Sequence, residues 1–191
     1  WDADPAFWTG RAPILFPIVG ALNGGQYGWR GERHALPRHG FARNRPFEVV
    51  RREERELLFR LRSSADTLPL YPFHFELDVA FHLEGQALEI EAQVRNVGDE
   101  PLPASLGFHP AFRWPLPWGG ERETHAVEFT FDEPAPVRRL DALGLLSPES
   151  SATPVRGRTL QLNDALFERD VLIFDSLDSR QLLYGVPGSR R

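Results

Sequence analysis

The sequence predicts an all-β protein built from antiparallel strands, and three observations carry that reading. Two neighbouring segments alternate apolar and polar residues with a period of two. The 17 prolines and 16 glycines of the 191 residues fall mostly between such runs, where they punctuate turns. No segment carries long helical periodicity. Many short strands separated by frequent turn signals mean a sandwich or a barrel, and periodicity alone does not choose between them.

Taken in order, Phe47 to Arg52 reads as a short strand, and Leu57, Phe59 and Leu61 place the next strand's apolar residues on one face. From Phe75 to Leu83, residues Phe75, Leu77, Val79, Phe81 and Leu83 share one face, while Glu76, Asp78, Ala80 and His82 share the other. After a turn at Glu84-Gly85-Gln86, Leu88, Ile90, Ala92 and Val94 alternate with Glu89, Glu91, Gln93 and Arg95. The pair reads as an antiparallel hairpin with one buried and one wet face. Val127, Phe129 and Phe131 repeat the alternation, and Val171 to Phe174 reads as a further short strand. Asp132 to Arg158 is rich in Pro, Ser and charge. It reads as a long connection with room for one helical turn. No internal repeat or domain boundary is evident, so the expectation is a single β-sandwich domain over residues 1–191.

Composition narrows the function. A net charge of −5 argues against a broad nucleic-acid footprint, which needs a basic surface. Every basic residue is arginine; lysine is absent. There is no cysteine, hence no disulfide framework and no thiolate zinc site. No apolar run approaches membrane-spanning length and no signal-peptide pattern is present, which makes the cytoplasm the expected location. Metal binding is not expected either: none of the six histidines sits in a His-Glu-x-x-His helix or a tight ligand cluster. A hydrolase elbow, a phosphate loop and a dinucleotide fingerprint are likewise missing.

Two histidine motifs stand out. Leu36-Pro37-Arg38-His39-Gly40-Phe41-Ala42-Arg43 and Gly107-Phe108-His109-Pro110-Ala111-Phe112 each set one histidine among Gly, Pro and aromatic residues at a strand-to-loop transition. Loops on a rigid β scaffold are where binding and catalytic groups concentrate. Histidine is the side chain that gives or takes a proton near neutral pH. The residues alone equally admit a buried histidine donating to a carbonyl at position 109 and a solvent-exposed turn histidine at position 39. Together they point to proton transfer on a small polar substrate.

At these residues the chain resembles the aldose 1-epimerase (galactose mutarotase-like) superfamily, in particular its LacX-like branch. Ala12-Pro13-Ile14-Leu15-Phe16-Pro17-Ile18-Val19-Gly20, the Gly25-Gln26-Tyr27 turn, Tyr71-Pro72-Phe73-His74-Phe75 and Asn96-Val97-Gly98 extend the likeness in the same order over essentially the whole chain. The resemblance implies a galactose mutarotase-like β-supersandwich with an open sugar-binding cleft. It also implies interconversion of α and β anomers of an aldose or aldose phosphate by acid/base ring opening. That chemistry has no redox step, so no cofactor is expected, and the expected partner is a small-molecule sugar.

By the same resemblance His109 matches the family's general acid, and His39 the second histidine, which holds the sugar near its reacting end. Arg43 is a candidate donor to a hydroxyl or phosphate, with a surface salt bridge as the equal alternative. Asp170 falls where the family often places a carboxylate that binds sugar hydroxyls; Asp164 and Glu168 lie close enough to leave the register open, and a solvated surface charge is the competing reading. Trp114 and Trp118 offer an aromatic face to a sugar, or fill a core or loop cluster. Two departures matter. Ala21 stands where the family often has an arginine. The family's base, a glutamate in a Glu-Pro-Trp-like segment near the C-terminus, has no counterpart after Asp170. Family members continue past both ends of this chain, which begins at Trp1 and contains no methionine. The expectation is therefore a domain incomplete at both termini, and a poor catalyst on its own. The alternative reading is a non-catalytic carbohydrate-binding or regulatory module on the same fold.

Overall fold

The computed structural model describes residues 1–189. The chain forms two compact units: residues 12–109, and residues 1–11 together with the chain from Pro110 onward. Antiparallel strands and short turns of 3-10 helix make up the regular structure, and no α-helix occurs among the described residues. Among the described residues, no helix is long and apolar enough to cross a membrane.

The unit of residues 12–109 contains β1 (Ile14–Leu15), β2 (Gln26–Trp29), β3 (Glu32–Ala35), β4 (Glu48–Arg52), β5 (Glu56–Arg62), β6 (Phe75–Glu84), β7 (Ala87–Asn96) and β8 (Gly107–Phe108). Strands β4 to β7 form one antiparallel meander in sequence order, and β2 and β3 form a separate hairpin. The hairpin expected at residues 75–94 is present, with Phe75 opposite Asn96 and Glu84 opposite Ala87.

Period-two patterning sends Phe75, Leu77 and Val79 into the core, where they meet Phe16, Leu36, Phe41, Leu61, Tyr71 and Phe73. Phe16 is fully buried among the rings of Phe41, Tyr71 and Phe75, with centroid separations of 6.4, 6.2 and 4.9 Å. Such tilted and edge-on contacts suit the ring quadrupoles. Tyr71 turns its hydroxyl to the carbonyl of Pro103 at 2.9 Å, so its burial leaves no orphaned donor. Burial also raises its pKa well above the usual tyrosine value.

Two details of this sheet depart from the sequence reading. Towards its turn the apolar face opens to solvent: Leu83, Leu88 and Ile90 are exposed. Leu83 and Leu88 line a groove of about 430 Å³ together with Leu57, Phe59 and Phe81. The opposite face is not simply wet. Asp78 is buried, held by Arg60 through bonds of 2.5 and 2.7 Å and by Arg95 at 3.0 Å. Glu76 accepts from Arg95 at 2.6 Å and from Arg62 at 2.9 Å, and Arg62 also pairs with Glu48. The network thus crosses all four strands. Alternation locates a face but cannot show that opposite charges on neighbouring strands will desolvate one another.

The other unit contains β9 (Ala126–Phe129), β10 (Val137–Leu140), β11 (Leu146–Ser151), β12 (Thr159–Gln161) and β13 (Leu182–Gly185). Strand β9 lies between β12 and β13 in a three-stranded sheet, and β10 pairs with β11. Phe129, Val155, Leu160 and Leu162 form its core, backed by Trp114, Leu172, Phe174 and Tyr184. Expectations for this part need correction. The supposed connection 132–158 carries the β10–β11 hairpin, in which a strand of the buried Val137, two arginines and Leu140 pairs with the mostly polar Leu146–Ser151, so no run of apolar alternation marks it. Residues 171–174 form no strand; Ile173 alone bridges to Arg138. Leu172 and Phe174 pack against the core without joining a ladder.

Candidate functional site

Both histidine motifs are braced by one segment, residues 14–20. Strand β1 pairs with β8, setting Ile14 opposite Phe108 and Leu15 opposite Gly107, which delivers His109 at the end of β8. The carbonyl of Pro17 accepts from the Ser105 N–H at 2.8 Å and anchors the approach to β8. On the other side, the Phe16 carbonyl accepts from the N–H groups of Phe41 and Ala42 at 3.0 and 3.2 Å. Leu15 and Phe16 are buried and Ile14 packs against the core, so the loops this segment carries start from a fixed base.

The turn at His39-Gly40 is built on left-handed backbone, with φ of 65° at His39 and 69° at Gly40. Gly40 approaches the Phe16 backbone so closely that only glycine fits. His39 and Gly20 exchange two hydrogen bonds: the His39 N–H donates to the Gly20 carbonyl at 2.7 Å, and the Gly20 N–H donates to His39 Nδ1 at 3.0 Å. His39 is half-buried, and its pKa is lowered, chiefly by burial and then by the charges of Arg38, Arg43 and His109.

The structure brings the two histidines together. Their ring centroids are 6.4 Å apart and the planes meet at 76°. His109 is exposed. Hydrogen-bonding reach of about 3 Å from each ring lets both address one small polar molecule. Arg43 is exposed and donates through Nη2 to the Arg38 carbonyl at 2.8 Å, which closes the loop around His39. Its guanidinium therefore braces the motif, while its remaining donors stay available. Ala21, next to Gly20, is half-buried.

Asp170 belongs to the other unit. It is exposed, adopts φ of 62°, and donates its N–H to the Phe167 carbonyl at 3.0 Å, ending a short 3-10 turn. Trp114 sits in that unit's packing cluster: its indole N–H donates to the Arg122 carbonyl, and the Arg122 guanidinium covers its ring 3.8 Å from the centroid. That ring face is occupied. Trp118 is exposed. Among the described residues, no group of three or more His, Asp or Glu side chains is placed to hold a metal ion.

The feature that sequence reasoning missed is the Gly20 peptide. Its role is played by backbone atoms, which no side-chain motif announces. The one available signal was the short Val19-Gly20 turn between two apolar segments.

One braced segment thus carries both histidine motifs. The family model for aldose 1-epimerase matches residues 1–170, and the chain belongs to that family. It is similar to the plasmid and chromosomal LacX proteins of Lactococcus lactis subsp. lactis, each 33% identical over 190 residues. Those alignments cover 95% of this chain and 64% of either relative, so the chain spans less than two thirds of their length.

Among solved structures, a galactose mutarotase-like protein from Lactobacillus casei superposes with a TM-score of 0.88 at 27% identity, covering 100% of this chain and 65% of that one. A galactose mutarotase related enzyme from Lactobacillus acidophilus gives 0.82 at 34% identity, covering 90% and 57%. The all-β, antiparallel, galactose mutarotase-like fold class expected from the sequence is the one these neighbours define.

Proposed function

We propose that this chain acts in mutarotation of an aldose or aldose phosphate, with His109 as general acid and His39 as the residue that positions the sugar. Ring opening needs a proton removed from the anomeric hydroxyl and a proton delivered to the ring oxygen as the bond from C1 to that oxygen breaks. Rotation about C1–C2 and closure then give the other anomer. The observation that carries the reading is the facing pair His39 and His109, 6.4 Å between ring centroids, in a chain of the aldose 1-epimerase family. An exposed His109 meets solvent, from which it recovers the proton it gives up. Arg43 contributes a donor to a hydroxyl or phosphate. The base is a glutamate that this chain does not identify.

Ala21 in place of the family's frequent arginine, together with the unassigned base, favours a second reading: a carbohydrate-binding module that does not turn over. Polarimetry on freshly dissolved galactose, glucose and glucose 6-phosphate, using the protein encoded by the full gene, separates the two. Faster approach to the equilibrium rotation supports the epimerase. Saturable sugar binding with no acceleration supports the module, and neither result on any of these sugars defeats both readings.

A further inference from the structure

We propose that His39 is held, before any ligand arrives, as the neutral tautomer with its proton on Nε2, and that the Gly20 peptide is the positioning group that holds it there. The inference deepens the mutarotase reading and takes from it only the identity of the ligand.

The geometry leaves little choice. A backbone N–H donates and never accepts. The Gly20 N–H points at Nδ1 from 3.0 Å, so Nδ1 must present its lone pair. The return bond from the His39 N–H to the Gly20 carbonyl at 2.7 Å fixes the two peptides in register, and the ring cannot flip without losing its partner. The left-handed backbone at residues 39 and 40 is what folds the ring back over Gly20. A doubly protonated ring would set N–H against N–H across the same 3.0 Å. The positive charges of Arg38 and Arg43 disfavour that state further.

Three consequences follow for the site. His39 can only donate from Nε2, so the ligand atom it meets must be an acceptor: a hydroxyl, ring or phosphoryl oxygen. It can be neither the base, since its lone pair is committed, nor a ready acid, since it carries no extra proton. The proton traffic of the pair therefore runs through His109. A peptide group does this more securely than a side chain, because it cannot rotate to offer an acceptor instead.

Long-range proton–nitrogen correlation spectra of the nitrogen-15-labelled chain at pH 7, without ligand, test the lock directly. The expected pattern for His39 is an unprotonated Nδ1 beside a protonated Nε2. The opposite tautomer, or a doubly protonated ring at pH 7, overturns the proposal whether or not any sugar binds.

The His39→Asn variant assigns the resonance and tests the donor. Asparagine tolerates left-handed backbone, and its Oδ1 can take the Gly20 N–H, but it has nothing at the Nε2 position. It should keep the wild-type melting temperature and bind galactose about tenfold more weakly, the loss expected of one hydrogen bond. Wild-type affinity in His39→Asn overturns the donor role. Absence of aldose binding by the wild type defeats the functional reading alone, because the spectra still decide the tautomer.

Discussion

The carbonyl oxygen of Phe16 stands where a side chain on Gly40 would begin: a Cβ built there lies 2.1 Å from that oxygen and 2.4 Å from the carbonyl carbon. Both partners are backbone, so neither can swing aside, and φ at Gly40 is 69° besides. The Gly40→Ala variant should lose more than about 2 kcal/mol of stability, from strained dihedrals and a forced shift of the loop. Because the same shift displaces His39, sugar affinity should fall in step with the denaturant midpoint. A Gly40→Ala protein of wild-type stability would show that the loop and the Phe16 backbone are not in contact as described.

Phe16 serves the same junction from the core side. It is fully buried and touches three aromatic rings. Truncation in Phe16→Ala removes those contacts and leaves a cavity, at a cost of about 3–5 kcal/mol. Phe16→Leu keeps most of the volume and should lose less than half of that. Urea unfolding of the two variants checks the ranking; equal losses would mean the site collapses around the smaller residue.

Acid should loosen the β4–β7 sheet through Asp78 and Glu76. The Arg60 hydrogen bonds hold the Asp78 carboxyl below its ordinary pKa, and those of Arg95 and then Arg62 do the same for Glu76. Both groups have lower pKa values folded than unfolded, so on acidification the unfolded chain takes up protons first. The stabilisation is complete above the unfolded value of about 4 and is lost as pH falls through it towards the folded values. Asp78→Ala leaves Arg60 and Arg95 facing a hole and should cost about 3 kcal/mol at pH 7. Urea midpoints at pH 7, 5 and 3 should converge between wild type and variant as pH drops. A gap that is the same at pH 3 as at pH 7 would mean the network's charge does not matter.

How much of this could be read from residues alone depends on where the information lies. The β6–β7 hairpin was legible because Phe75, Leu77 and Val79 bury one side of a regular alternation. Strands β10 and β11 were not, because Leu146–Ser151 is mostly Ser, Pro and Glu, and the one buried apolar residue of β10, Val137, makes no alternation by itself. Val171 to Phe174 misled in the opposite sense: Leu172 and Phe174 are apolar because they pack against a core, and packing needs no ladder. At the candidate site, the His-Gly and His-Pro strings gave away the two histidines whose rings the structure sets edge-on, 6.4 Å apart. The tautomer of one of them was invisible, since it is dictated by the peptide of Gly20, 19 positions earlier.

His109 and His39 should separate kinetically. His109 is exposed at the end of β8 and lies outside the buried core, so His109→Ala should still fold. If His109 delivers a proton to the ring oxygen, its bond to that atom strengthens only as the ring opens, and its loss falls on kcat with KM nearly unchanged. The expected reduction is about 10²–10⁴-fold, the usual contribution of one placed acid. His39, as a fixed donor to the bound sugar, holds ground state and transition state alike, so His39→Asn should raise KM and leave kcat close to wild type. Polarimetric progress curves over a range of galactose concentrations give both parameters for each variant. Were His39→Asn to lose kcat while His109→Ala lost only affinity, the two assignments would have to be exchanged.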